Sequence, residues 1–530
     1  MERFDIIIVG GGAAGCVLAN RLSDMEECRV LLIEAGPSDR HPMIHMPKGV
    51  GRILSDPRYV WPFRVGHAEG ANVPPAFWVR GKTLGGSSST NGMMYVRGQP
   101  ADYSDFAVAT SEDWNWSAIE AAYDGVERYL KVSQPVRHQS ALDRVIAAAE
   151  KLGLARADDP NRPDDQAKVG YCPQTVWRGR RQSAAVAFLD PVRRRANLTV
   201  RTGITVDRVV FERGRAIGVE VIGSAGREVV AANRIILAGG TFGSPAVLQR
   251  SGIGDSGLLK RLGIHAVVDR PAVGRNLFEH CAITVQWRLN APVSRNADYG
   301  GWRLGLHAAR WFVARGGPLG TATFDVGGWF STDGSSRPNA QFLAAPHSID
   351  RSKKTMATEP FPGMQMVIYP LRPRARGSIA ITSRNPEDLP TGALDYFADA
   401  DDRRELVETL RWIRRLAATA PLADIIAEET RPGPQVAGDD EIIEAYRSLG
   451  TPGYHAAGTC RMGADADAVV DCSTRVNGVD GLHVVDLSIA PVMPAGNTFG
   501  PVCALAWRAA DLIIAQHHHD QRRTATRQAA

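Results

Sequence analysis

The chain has 530 residues, 44% of them hydrophobic, which is more than one hydrophobic core usually supports and predicts two closely associated domains. Lys plus Arg total 62 against 57 Asp plus Glu, and a net charge of +5 over this length is too slight to predict a nucleic-acid partner. No apolar run reaches the roughly 18 residues of a spanning helix, so no transmembrane segment is expected, and a first strand starting this close to Met1 leaves no room for a signal peptide, which predicts a cytoplasmic protein.

Phe4 to Val9 is a β-rich apolar run without alternation, the pattern of a strand buried on both faces of a parallel sheet. Gly10, Gly12 and Gly15 follow with GxGxxG spacing. The first permits the tight turn, the second lets backbone approach a pyrophosphate, and the third lets the helix pack on the strand. A helix through Val17, Leu18 and Leu22 and a second strand, Arg29 to Ile33, lead to Glu34, a carboxylate placed to accept from ribose hydroxyls. Strand, glycines, helix, strand and acid in this order predict a dinucleotide site without choosing FAD over NAD.

Further along, Gly81 to Asn91 (GKTLGGSSSTN) is a glycine-and-hydroxyl loop rich in free backbone donors, able to wrap a pyrophosphate. The strand Arg234 to Leu237 runs into Gly240 to Gly254 (GTFGSPAVLQRSGIG), a second strand-to-helix turn. Gln365 to Tyr369 and Ser378 to Thr382 read as strands, and Asp401 to Ala417 as an amphipathic helix with apolar Leu406, Leu410, Ile413 and Leu416. Near the end come His455 to Gly463 (HAAGTCRMG), Asp486, and Gly496 to Pro501 (GNTFGP) opening an apolar helix. Seven widely spaced cysteines without a CxxC predict reduced thiols and no structural metal, and the polar tail after Gln516, with His517 to His519, reads as a frayed terminus.

These segments, with Ser183 to Pro191 (SAAVAFLDP), Val273 to Leu277 with His280, and Arg376-Gly377, resemble the glucose-methanol-choline flavoprotein family from residue 4 to about residue 514. The resemblance implies an α/β (α+β overall) architecture: a Rossmann-like FAD-binding domain of residues 1–155, 196–290 and 450–530, and a discontinuous antiparallel-sheet substrate domain of residues 156–195 and 291–449. It also implies FAD as cofactor, contacted by Gly10, Gly12, Ala13, Ala14, Gly15, Glu34, Ala35, Leu84, Gly85, Gly86, Ser87, Asn91, Gly92, Met93, Met94, Val206, Asp486, Asn497 and Thr498. Met93 and Met94 read equally as core, and Asn276 and His280 as loop residues. Thr90 stands where members with covalent FAD carry a histidine, which implies non-covalent FAD.

The implied reaction is oxidation of a primary alcohol to an aldehyde by hydride transfer to flavin N5. His455 is the general base, since histidine titrates near neutral pH. Asn497 holds the substrate oxygen. Molecular oxygen or another acceptor would reoxidise the flavin. A neutral alcohol on an aromatic or furan-like ring is the favoured substrate, with Trp61, Phe324, Phe342 and Tyr369 as candidate pocket residues that ordinary core packing explains as well. Two alternatives stay open: a choline-type dehydrogenase using a quinone acceptor, and an FAD photoenzyme decarboxylating fatty acids on the same fold.

Overall fold

The computed structural model describes residues 2–66, 76–135, 139–353 and 357–529, with side chains through residue 522. Two large sheets organise the chain. The first has a parallel centre in the order Leu482–Val484, Gly226–Leu237, Arg3–Val9, Val30–Glu34, Leu198–Thr202. Val30–Glu34 is buried at every position, as a strand covered on both faces must be. The helix Ala13–Leu22 and the final helix Phe499–Ala529 supply part of that cover. In register, Val9 lies beside Ile33 and Leu237, and Leu237 beside Val484. The strand ends carrying Gly10, Glu34, Ala238 and Asp486 therefore line one edge, where parallel α/β sheets bind their ligands.

The predicted strand Arg234 to Leu237 is only the end of a longer one. Its first half, from Gly226, leaves the parallel centre and joins a meander with Arg215–Gly223 and Thr205–Glu212, and its polar residues there alternate with buried ones. The C-terminal tail also differs from expectation. It is helical to Ala529, extending the helix whose Cys503, Ala506, Ala510 and Ile513 pack against the first sheet.

The second sheet runs Ile426–Arg431, Cys281–Leu289, Gly363–Pro370, Ala340–Ala345, Val326–Phe330, Lys168–Tyr171, Ala155–Arg156, antiparallel except for the last pair. Helices Ser140–Lys151, Ala400–Ala417 and Asp439–Leu449 pack on one face through alternate strand residues such as Ile283, Val285, Phe342, Met366 and Ile368. The predicted amphipathic helix begins at Ala400, where the Asp399 side chain accepts from Asp401 N and Asp402 N, and it buries Leu406, Leu410, Ile413 and Leu416. The opposite face presents Leu343, Tyr369 and Ala282 towards Met94, Val96 and Ala495.

For three further stretches side-chain burial, rather than motif position, decides which sheet they join. Ser140–Lys151 and Cys281–Leu289 belong with the second sheet, whereas Ala185–Leu189 packs on the first. The strand expected at Ser378 to Thr382 is Gly377–Ala380 and lies in a third, five-stranded sheet with Arg275–Leu277, Thr391–Ala393, Val60–Gly66 and Ala76–Gly81. All seven cysteines are free thiols. Among the described residues no helix is long and apolar enough to cross a membrane.

Candidate active site

At the edge of the first sheet the glycine turn is shaped by its own backbone. A Cβ on Gly15 would lie 1.9 Å from Gly10 O, and one on Gly10 would lie 2.5 Å from Ala238 O, so both positions exclude a side chain. Gly12 is different: a Cβ there meets nothing in the protein closer than 3.9 Å. The space it leaves free faces the N-terminus of the helix Ala13–Leu22, with Ala13 and Ala14 in its first turn, where backbone N–H groups favour an anion.

The Leu84–Ser87 loop closes on this turn. Gly85 N donates to Gly11 O at 2.7 Å, and the Cβ position of Gly86 is 2.7 Å from Gly12 Cα. Glu34 is buried, and that desolvation pushes its carboxyl up to about 7 although it accepts from Gly11 N (2.8 Å) and Gly36 N (2.7 Å). The bonds Ile204 N to Glu34 O and Gly203 N to Gly36 O bring the start of the Val206 strand beside Glu34 and Ala35, while the Val206 side chain itself joins the core of the first sheet. These residues fit a dinucleotide: a glycine at 12 whose side-chain position is left open, a helix N-terminus, and an acid at the end of the neighbouring strand.

The loop then turns through Asn91, whose Oδ1 accepts from Met93 N (3.1 Å) and from Arg181 Nη1 (2.6 Å). Gly92 O accepts from Thr323 N. Met93 is buried with positive φ, and Met94 packs in the cluster containing Tyr369 and Ala495. Arg181 is buried without a carboxylate partner, which pulls its guanidinium down to about 9, and its Nη2 has no hydrogen-bond partner. Asp486 accepts from Gly240 N, Ser488 N and Ser244 Oγ, tying the Gly240–Arg250 helix to the last sheet strand. Thr498 O receives Val502 N in the first turn of the final helix.

Beneath the free face of the second sheet, His455 sits in a chain of hydrogen bonds. His280 Nε2 lies 2.9 Å from Leu371 O, His280 Nδ1 lies 2.8 Å from His455 Nδ1, and Asn497 Nδ2 lies 3.3 Å from His455 Nε2. A carbonyl can only accept, so His280 carries its proton on Nε2 and its Nδ1 accepts. His455 must then carry its proton on Nδ1, which leaves the Nε2 lone pair facing the Asn497 amide. Burial, then His280, then Arg80 hold the His455 pKa well below 6.5, and burial pulls His280 down to about 4, so both rings are neutral at pH 7. Tyr369 stacks on His280 with ring centroids 4.8 Å apart and gives its hydroxyl proton to Gln341 Oε1 at 2.7 Å.

The backbone around the pair is held by two buried carboxylates that sequence reasoning did not single out. Glu279 accepts from His455 N (2.7 Å), Ala456 N (2.9 Å) and His280 N (2.9 Å), and pairs with Arg80 at 3.3 Å. Asp102 accepts from Ala495 N (2.8 Å) and pairs with Arg337 and Arg372. The contacts that matter to the site are long-range: His455 and Ala456 lie 176 and 177 residues from Glu279, and the Asp102–Ala495 contact spans 393. Glu279, His280 and His455 present ligand atoms within 4.8 Å of one another, but the carboxylate is spent on backbone N–H groups and the two Nδ1 atoms share a proton, leaving no free donor set for a metal.

Of the pocket candidates, Tyr369 lies against the histidine pair and Phe324 beside it in the same cluster. Phe342 points to the helix-covered face and Trp61 joins a cluster with Phe63 and Trp78; both serve packing.

Fold and site together define a dinucleotide-type oxidoreductase with a buried, neutral histidine pair beneath the second sheet. Family models described as GMC oxidoreductase match residues 4–282 and 373–506. The chain is 33% identical to an oxygen-dependent choline dehydrogenase of Photobacterium profundum, over 96% of this chain and 93% of the relative. It is 34% identical to an alcohol dehydrogenase (acceptor) of Pseudomonas putida, over 96% of each. The crystal structure of pyridoxine 4-oxidase from Mesorbium loti matches with a TM-score of 0.86 and 29% identity, over 97% of this chain and 99% of that one. The chain belongs to the glucose-methanol-choline (GMC) flavoprotein oxidoreductases, enzymes acting on CH–OH donors.

Proposed function

We propose that the chain oxidises a primary alcohol to an aldehyde, with His455 Nε2 taking the hydroxyl proton and Asn497 orienting the substrate oxygen. The observation that carries this reading is the hydrogen-bond chain Leu371 O–His280–His455–Asn497, which leaves a neutral imidazole with its lone pair on the nitrogen beside Asn497. FAD, bound non-covalently beside Thr90 by the residues of the glycine turn, the Leu84–Met94 loop, Glu34, Ala35, Val206, Asp486 and Asn497-Thr498, supplies the hydride acceptor. Removing the hydroxyl proton puts electron density on oxygen, which the departing hydride requires. Asn497 Nδ2 carries two protons and one faces His455 Nε2, so the other can donate to the oxygen of an alcohol and hold it in a near-attack pose.

The relatives named choline dehydrogenase support a second substrate reading, an alcohol carrying a quaternary ammonium. The buried carboxylates Glu279 and Asp102 are already engaged by backbone N–H groups and arginines, and we retain the neutral alcohol on an aromatic or furan-like ring. An anaerobic screen of benzyl alcohol, hydroxymethylfurfural, pyridoxine and choline, read as flavin bleaching and followed by admission of oxygen, tests substrate and acceptor together. In the same assay His455→Ala keeps its flavin absorbance and reduces at least about a hundredfold more slowly. Unimpaired reduction would remove His455 from the role.

A further inference from the structure

The helix Gly301–Ala314 lies outside everything described so far. Its one buried residue is Trp311, which inserts beside Met46 and Leu319 and donates its Nε1 proton to Gly179 O at 2.7 Å. Trp302, Leu306, Ala309 and Val313 recur at helical spacing and form a single stripe on the side opposite Trp311. Trp302 is 75% exposed and Val313 88%, with Leu306 and Phe312 exposed beside them. An apolar stripe turned to water on a helix anchored by its other side marks an interaction surface.

One flank is cationic. Arg303 and Arg310 border the stripe on the same side, Arg315 closes the helix, and the fourteen residues contain no acid. The adjoining hairpin continues the pattern with exposed Trp177, Arg178 and Arg180. Its tip is clamped to the helix end: a Cβ on Gly179 would lie 1.5 Å from Arg315 O. Arg178, Arg303, Arg310 and Arg315 form no ion pair among the described residues, and each but Arg310 lies over a tryptophan ring. Tryptophan and arginine around an aliphatic stripe, on elements fixed to one another, are the chemistry of an interfacial anchor.

We propose that this helix and hairpin dock the enzyme on an anionic lipid bilayer surface, with the stripe at the headgroup–acyl boundary and the arginines on lipid phosphates. A second copy of the chain does not suit this face, since a two-fold contact would set arginines against arginines with no carboxylate on the helix to relieve them.

The test is co-sedimentation of the FAD-loaded full chain with vesicles of phosphatidylcholine alone and of phosphatidylcholine with phosphatidylglycerol. Binding is expected to the phosphatidylglycerol vesicles only, and added salt weakens it. Arg303→Gln with Arg310→Gln lowers the partition constant about 25-fold, about fivefold per arginine. Trp302→Ser with Leu306→Ser and Val313→Ser abolishes binding, while flavin absorbance and alcohol-dependent bleaching stay at wild-type levels because these side chains face water. Absence of binding by the wild type, or equal binding by both variants, would overturn the proposal. So would a dimer in sedimentation velocity that the triple variant loses, which would place a second copy on this face.

Discussion

Replacing His280 tests the tautomer of the proposed base without touching His455 itself. In His280→Ala the Nδ1–H of His455 loses its acceptor at 2.8 Å inside a site where both rings are buried. A buried donor without a partner costs about 1–3 kcal/mol, which the imidazole escapes by moving its proton to Nε2, and that tautomer has no lone pair for the substrate hydroxyl. The same 1–3 kcal/mol corresponds to a reduction rate lower by about 5- to 150-fold. His280→Asn places an amide oxygen near the former Nδ1 and recovers most of the rate. Anaerobic stopped-flow reduction at saturating alcohol, followed across pH, measures both effects. The base is active when neutral and its pKa is held below 6.5, so the wild-type rate is flat through neutral pH and falls only as pH drops through the depressed value. His280 is one cause of the depression, so His280→Ala moves the acid limb to higher pH. A variant with full flavin, the wild-type rate and an unmoved acid limb would refute the reasoning.

Asn497→Asp exchanges the donor on His455 Nε2 for a carboxylate, and its acid limb should rise by about one pH unit or more, with slower reduction at pH 7. Gly12→Ala and Gly15→Ala separate cofactor space from backbone packing: the first should give a folded protein with wild-type circular dichroism and greatly reduced flavin absorbance, the second little soluble protein, because only the second meets its own chain. Glu279→Gln turns an amide NH2 against the backbone N–H groups of His455, Ala456 or His280, and loss of one charge-assisted bond lowers unfolding stability by about 1.5–3 kcal/mol, read as a lower melting temperature.

What was legible in the sequence was local. The GxGxxG spacing required only a handful of successive residues, and Glu34 closes the next strand, so the turn and its acid could be read directly. The Ala400–Ala417 helix advertised its buried face by period. The strand ending at Leu237 was half visible, because only its parallel half lacks alternation. His280 was read as a loop residue, since nothing near it in sequence announces a second histidine 175 positions away. The tail is polar throughout and carries no apolar period of its own, yet it is helical because it extends a helix begun at Phe499.

The long-range contacts that escaped share one physical origin. His455 and Asn497 lie on irregular backbone within the site and Gly239–Gly240 turn the first sheet into the next helix, places where N–H groups have no sheet or helix partner and must still be satisfied. Glu279, Asp102 and Asp486 each reach across the chain to accept those N–H groups: His455 and Ala456 on the first, Ala495 on the second, Gly240 on the third. A carboxylate suits the task because it offers several acceptor sites to one crowded point. The proposed reacting groups can thus stand on loops and still be held as firmly as residues on a strand. Asp102→Asn is the sharpest probe of this: it leaves the hydrogen bond between His280 and His455 in place and loosens the segment bearing Asn497, together with Gln99 and the Arg337 and Arg372 pairs. Its effect should therefore appear as slower reduction with an unmoved acid limb, the opposite signature to His280→Ala, and a shifted limb would show that the carboxylate acts on the base rather than on the loop.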